Sequence, residues 1–125
     1  MKSQNVAIYS RIASVNRELD LIVLQENSLL RYAQENGYFD CVCYHDNGVS
    51  GLSLDRPGMN ELMDDIRNRV IDTVIVKDSN RIARGSLPLI EWMQFTQAHG
   101  VTVISMIEGN IDTSLSFNLA LLEQV

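Results

Sequence analysis

Apolar and polar positions along the chain change period several times, and each change marks an element. Residues 6–9 form a short apolar run that ends at Ser10 and Arg11, as a buried strand does when it reaches a polar edge. Residues 17–36 favour helix, and Gly37 supplies the stop. On that helix Ile22, Gln25, Leu29 and Ala33 share one face, so a glutamine interrupts an inward stripe. Residues 39–45 read as a second strand. The Asn, Gly and Ser residues within 46–55 then mark an irregular loop. Arg56, Pro57 and Gly58 open a second helix, with proline where the first turn tolerates it and Met59, Leu62, Met63, Ile66 and Val70 as its apolar face. Residues 72–77 read as a buried strand, 78–86 as a polar loop, 87–99 as a helix closed by Gly100, and 101–107 as a fourth strand. Residues 115–125 have helical composition but span only about three turns.

Strands and helices alternate throughout, which predicts an α/β fold with a mostly parallel central sheet and helices on both faces. In such sheets ligands sit at the carboxyl ends of the strands. Arg11 stands after the first strand, Asp46 after the second, and Asp78, Arg81 and Arg84 after the third.

Size and charge narrow this picture. The 125 residues, 46% of them hydrophobic, suit one domain with one core. A net charge of −6 excludes a protein that wraps nucleic acid by bulk attraction, so any phosphate contact must be local. No apolar run approaches the roughly 20 residues of a membrane span, and the first residues lack the layout of a secretory signal, so a cytoplasmic location is expected. Cys41 and Cys43 lie too close along one strand for a relaxed disulfide, which fits a reducing compartment. With His45 they alternate and share a face, a spacing open to zinc, but no fourth ligand is evident and small core cysteines explain them more simply.

Against this acidic background, Arg11, Arg56, Arg81 and Arg84 are predicted to converge on one edge. Arg81 and Arg84 project the same way if their loop holds a helical turn, and Arg56 starts a helix whose N-terminus already favours anions. Guanidinium groups bind phosphate through paired donors and keep their charge, so such a cluster stabilises a phosphate gaining negative charge without a metal. Any one of these arginines alone is better explained as a solvated residue paired with an acidic neighbour.

The segments Tyr9-Ser10-Arg11, Gln25, DNGVSGLSLDRPG from Asp46 to Gly58, VKDSNRIAR from Val76 to Arg84, and Asp112-Thr113-Ser114 occur in an order and spacing that resembles the resolvase and invertase serine recombinases. The resemblance covers nearly the whole chain and implies a three-layer resolvase-like catalytic domain over residues 1–125. Its implied reaction is attack of a serine hydroxyl on a DNA phosphodiester, giving a 5′-phosphoserine link that later reverses. Carried over by position, Arg11, Arg56, Arg81 and Arg84 match the phosphate-binding arginines. Tyr9, Gln25, Asp46 and Asp78 match supporting positions. No metal or nucleotide cofactor is implied; the implied partners are DNA and further copies of the chain. In the family the last helix runs on against a partner subunit towards a separate DNA-binding segment, so this piece is expected to bind DNA weakly by itself.

One position departs from the pattern. The family's nucleophile lies two residues after the first arginine, and that residue here is Ala13. Ser14 follows, although regular strand alternation would turn it away from Arg11, as it does Ser10. Two readings stand: a Ser14 nucleophile shifted by one residue, or a non-catalytic domain that keeps phosphate binding and assembly. A phosphate-sensing receiver-like domain has similar architecture, but its magnesium site needs acidic residues where this chain has Tyr9, Ser10 and Arg11.

Overall fold

The computed structural model describes residues 5–14 and 20–110. Its elements are β1 (Val6–Ile12), α1 (Leu21–Glu35), β2 (Val42–Asn47), α2 (Pro57–Arg67), β3 (Thr73–Val76), α3 (Ser79–Ile82), α4 (Ser86–Ala98), β4 (Thr102–Ser105) and β5 (Gly109–Asn110). The sheet order is β2-β1-β3-β4-β5. The first four strands run parallel, and β5 closes one edge antiparallel to β4. The expected α/β architecture is present. The predicted helix start at residues 17–19, the Asp112-Thr113-Ser114 turn and the helix at 115–125 lie outside the described residues.

Strand alternation divides the core into two layers. Ala7, Tyr9, Val74, Val76 and Val103 pack with α2 and α4 through Met59, Leu62, Ile66, Trp92 and Met93. Val6, Ile8, Ile75 and Ile104 face the other way, onto Leu29 and Ala33 of α1. Fully burying each large aliphatic side chain contributes about 1.5–3 kcal/mol, so both faces of the sheet must be covered. Since β1 is enclosed on both sides, its residues 6–9 read as a continuous apolar run. Among the described residues no helix is long and apolar enough to cross a membrane.

Several boundaries shift from expectation: α1 begins at Leu21 behind the cap Asp20, β2 runs on to Asn47, β4 spans only Thr102–Ser105, and three further shifts have a clear cause or consequence. The second strand begins at Val42 rather than residue 39, because Asp40 adopts a left-handed φ of 57° and turns the chain just before it. Helix α2 ends at Arg67, and Arg69 at φ 61° redirects the chain, leaving Val70 47% exposed instead of on the buried face. Strand β1 runs on to Ile12, past the polar residues expected to end it.

That last difference creates the site. Strand β1 pairs with β2 from Ala7 to Ile12, but with β3 only from Val6 to Ile8. The edge of Arg11 that would face β3 is therefore left to side chains and to the turn α3.

Candidate functional site: a buried arginine cluster

Gln25 reaches from α1 to the open edge of β1. Its Oε1 accepts from the Arg11 backbone N–H at 3.0 Å, and its Nε2 donates to the Arg11 carbonyl at 3.2 Å. The side-chain amide thus replaces a missing strand neighbour, which explains a buried glutamine within an apolar stripe. Arg81 Nη1 donates to the same carbonyl at 3.2 Å.

The Arg11 side chain, only 2% exposed, enters a ring of main-chain carbonyls. Its Nε donates to Arg81 O at 3.0 Å and its Nη1 to Val49 O at 3.0 Å, while Nη2 donates to Asn80 O. Arg56 is 1% exposed and uses the same turn: Nη1 donates to Arg81 O at 3.2 Å and Nη2 to Ile82 O. One carbonyl, that of Arg81, therefore bridges two guanidinium groups. Arg56 also lies over the Tyr9 ring, 5.6 Å from its centroid. It caps α2 only by position; its charge points into the carbonyl ring rather than lying free at the helix start.

Arg84 completes the cluster from an exposed position. Its N–H donates to Gly51 O at 2.7 Å. A β-carbon on Gly51 would lie 2.7 Å from Arg11 Nη2 and 2.9 Å from Arg84 Cγ, so the two side chains close on one glycine. The loop carrying Gly51 folds back on β1 through Gly48 and Val49, whose N–H groups donate to Ile12 O. Burial, then the charge of Arg56, followed more weakly by Arg81 and Arg84, lowers the Arg11 pKa, with Tyr9 opposing. Burial likewise lowers that of Arg56, with Tyr9 and Asp46 opposing. Both guanidinium groups stay charged at any working pH, because their starting affinity for protons is so high.

Asp46 supports the cluster from β2. Its Oδ2 accepts from Tyr9 OH at 2.6 Å and Met59 N at 3.0 Å, and its Oδ1 accepts from Gly58 N at 2.8 Å. It therefore satisfies two N–H groups in the first turn of α2 that no local side chain caps. Gly58 is required here, since a β-carbon would strike the His45 carbonyl. Burial, then the bond to Asp46, pushes the Tyr9 phenol far above its ordinary range. Asp78 is a looser neighbour: its Oδ1 lies 3.7 Å from Arg81 Nε, and neither atom has a hydrogen-bond partner.

The structure thus brings Tyr9, Arg11, Gln25, Asp46, Arg56, Arg81 and Arg84 into one contiguous site, with Asp78 at its border. Ala13 and Ser14 follow β1 in an exposed bend. Ser10 is fully buried, with no partner for its hydroxyl. The cysteines differ from the expected core role: Cys43 is exposed on edge strand β2 and Cys41 only partly buried. His45 pairs with Glu26 at 3.8 Å, and although the Cys43 residue as a whole is exposed, partial desolvation of its sulfur followed by the Glu26 charge pushes the Cys43 thiol up to about 11. Sequence reasoning missed the carbonyl ring itself, because main-chain oxygens carry no residue signature. It also missed Glu108, described below.

Known proteins share this arrangement of elements. The family model described as the resolvase N-terminal domain matches residues 6–125. The crystal structure of the N-terminal catalytic domain of TP901-1 integrase is 32% identical, over 96% of this chain and 90% of that one, with a TM-score of 0.80. A resolvase family site-specific recombinase from Streptococcus pneumoniae is 26% identical over 97% of this chain and 85% of that one, with a TM-score of 0.78. The catalytic domain of ISC1926 TnpA, an IS607-like serine recombinase, shares the fold at 23% identity, over 93% of this chain and 75% of that one, with a TM-score of 0.72. With its sheet order, its arginine cluster and a family match running from Val6 to the last residue, the chain belongs to the resolvase N-terminal domain family of serine recombinase catalytic domains.

Proposed function

We propose that this domain cleaves and rejoins DNA strands in site-specific recombination, with Ser14 as the nucleophile. The observation that carries the reading is the packing of Arg11 and Arg56 on one carbonyl, with Arg84 closing on Arg11 across Gly51. In the proposed step the Ser14 oxygen attacks phosphorus and the bond from phosphorus to the 3′-oxygen breaks. The serine proton ends on that 3′-hydroxyl, and a 5′-phosphoserine remains. Charge gathers on the non-bridging oxygens as the bonds exchange, and the arginines are the groups suited to stabilise it. Arg84 and Arg81 meet the phosphate first because they reach solvent. Arg11 and Arg56 reach it by exchanging carbonyl partners for phosphate oxygens. The chain's net charge of −6 opposes approach of a polyanion, so binding through this domain alone is weak, and assembly with further copies supplies the rest.

Ala13 favours a second reading, a domain that holds phosphodiesters and assembles without cleaving, since a methyl group cannot attack phosphorus. A library of nicked duplexes, whose cleavage traps the covalent intermediate, separates the two. The first reading expects a protein-DNA adduct whose phosphate maps to Ser14 by peptide mass spectrometry and which disappears in Ser14→Ala. Persistence of the adduct in that variant refutes Ser14 as nucleophile; duplex binding without adduct selects the second reading.

A further inference from the structure

The carbonyls that hold Arg11 and Arg56 come from a very short element. Helix α3 spans only Ser79–Ile82, closed by Ala83 N donating to Ser79 O at 3.2 Å, and a single turn is marginal without tertiary support. Its support comes from Glu108, at the turn between β4 and β5. Glu108 Oε1 accepts from Ser79 N at 2.7 Å, and Oε2 accepts from Ser79 Oγ at 3.2 Å. The carboxylate is held in turn by the sheet. Ser105, fully buried on β4, has its hydroxyl 3.2 Å from both Glu108 Oε1 and the Lys77 carbonyl, and it accepts from Glu108 N at 3.0 Å. Met106 N and Ile107 N donate to Val76 O and Lys77 O, fastening the same turn to the end of β3.

We infer that Glu108 is a positioning residue for the arginine cluster: it fixes the α3 turn by a two-oxygen grip on Ser79, and through the carbonyls of Asn80, Arg81 and Ile82 it aims Arg11 and Arg56. Glu108 touches none of the arginines and acts entirely through that turn. The anchoring is independent of the recombinase reading; only its consequence for DNA rests on it.

Solvent exchange of the Arg11 Nε–H, which donates to Arg81 O, reports the aim directly by NMR of the 125-residue chain. In Glu108→Ala this exchange accelerates about tenfold, as expected when the two solvent-exposed, charge-assisted bonds to Ser79 are lost, while backbone amides in β1 and β3 keep their protection. Glu108→Gln retains a carbonyl oxygen for Ser79 N and restores slow exchange; Glu108→Asp, one methylene short of Ser79, does not. Unchanged Arg11 exchange in Glu108→Ala overturns the inference, and so does acceleration shared equally by the β1 amides. Should Glu108→Ala not fold, the Gln and Asp variants decide, and equal exchange in those two overturns it. Affinity for a nicked duplex, read by fluorescence anisotropy, falls in Glu108→Ala together with the change in exchange. Wild-type protein that binds no duplex but shows the exchange pattern refutes the proposed function and leaves the positioning role standing.

Discussion

Removing the Asp46 carboxylate tests how far the site is held by polar contacts rather than by apolar packing. Asp46→Ala leaves the buried Tyr9 hydroxyl without its acceptor at 2.6 Å and frees the N–H groups of Gly58 and Met59 at the start of α2. An orphaned buried donor costs about 1–3 kcal/mol, and loss of a helix cap about 0.5–2 kcal/mol. The two together give roughly 1.5–5 kcal/mol, a large share of the stability of a domain this size. Tyr9→Phe keeps the ring beneath Arg56 and removes only the hydroxyl, so in that background Asp46→Ala retains the cap contribution alone, about 0.5–2 kcal/mol. Urea unfolding of wild type, both single variants and the double variant gives the coupling, with the midpoint shift read at constant slope. Coupling of about 1–3 kcal/mol is expected from the orphaned phenol. Equal loss in both backgrounds would show that Tyr9 and Asp46 do not depend on each other, and the account of the site would be wrong.

Gly51→Ala places a methyl group between Arg11 Nη2 and Arg84 Cγ, where the β-carbon would stand 2.7 and 2.9 Å away. Overpacking of this kind costs about 1–3 kcal/mol, and duplex binding should weaken with it; unchanged stability and binding together would mean that the arginines do not close on this glycine. Stability should also fall at alkaline pH. Burial first, then bonds to Asp46 and Asp65, raises the phenol pKa values of Tyr9 and Tyr44, so the stabilisation is complete below about pH 10. Above it the unfolded chain releases protons that the folded chain retains, and unfolding free energy drops by up to about 1.4 kcal/mol per pH unit for each tyrosine. Urea titrations between about pH 9 and 11 should show a shallower decline in Tyr9→Phe, and an equal decline would remove Tyr9 as a source.

Much of this site was legible because the chain places charge where apolar patterning stops. Arg11 follows an apolar strand, Arg81 and Arg84 follow another, and Gln25 breaks a helical stripe because its amide completes the backbone pairing of Arg11. The sequence did not disclose that Arg11 and Arg56 are buried. Their partners are main-chain oxygens of residues 49 and 80–82, brought close by topology rather than residue type. The boundaries missed at Asp40 and Arg69 share one cause, left-handed backbone at residues other than glycine, where the usual stop signal is absent. Strand β5, two residues long, is too short for any period to register. Glu108 stayed hidden because its partner lies 29 positions away on a turn that gains its shape only in the fold.

The ring of peptide oxygens around Arg11 and Arg56 sets the terms on which an anion can enter. Had fixed carboxylates neutralised these cations, an incoming phosphate would have to expel a full negative charge from a poorly hydrated space. Here the occupants are neutral dipoles, which yield to a charged competitor at far lower electrostatic cost. The resting molecule therefore keeps concentrated positive charge within a chain that is net negative, screened by its own backbone until something more negative arrives.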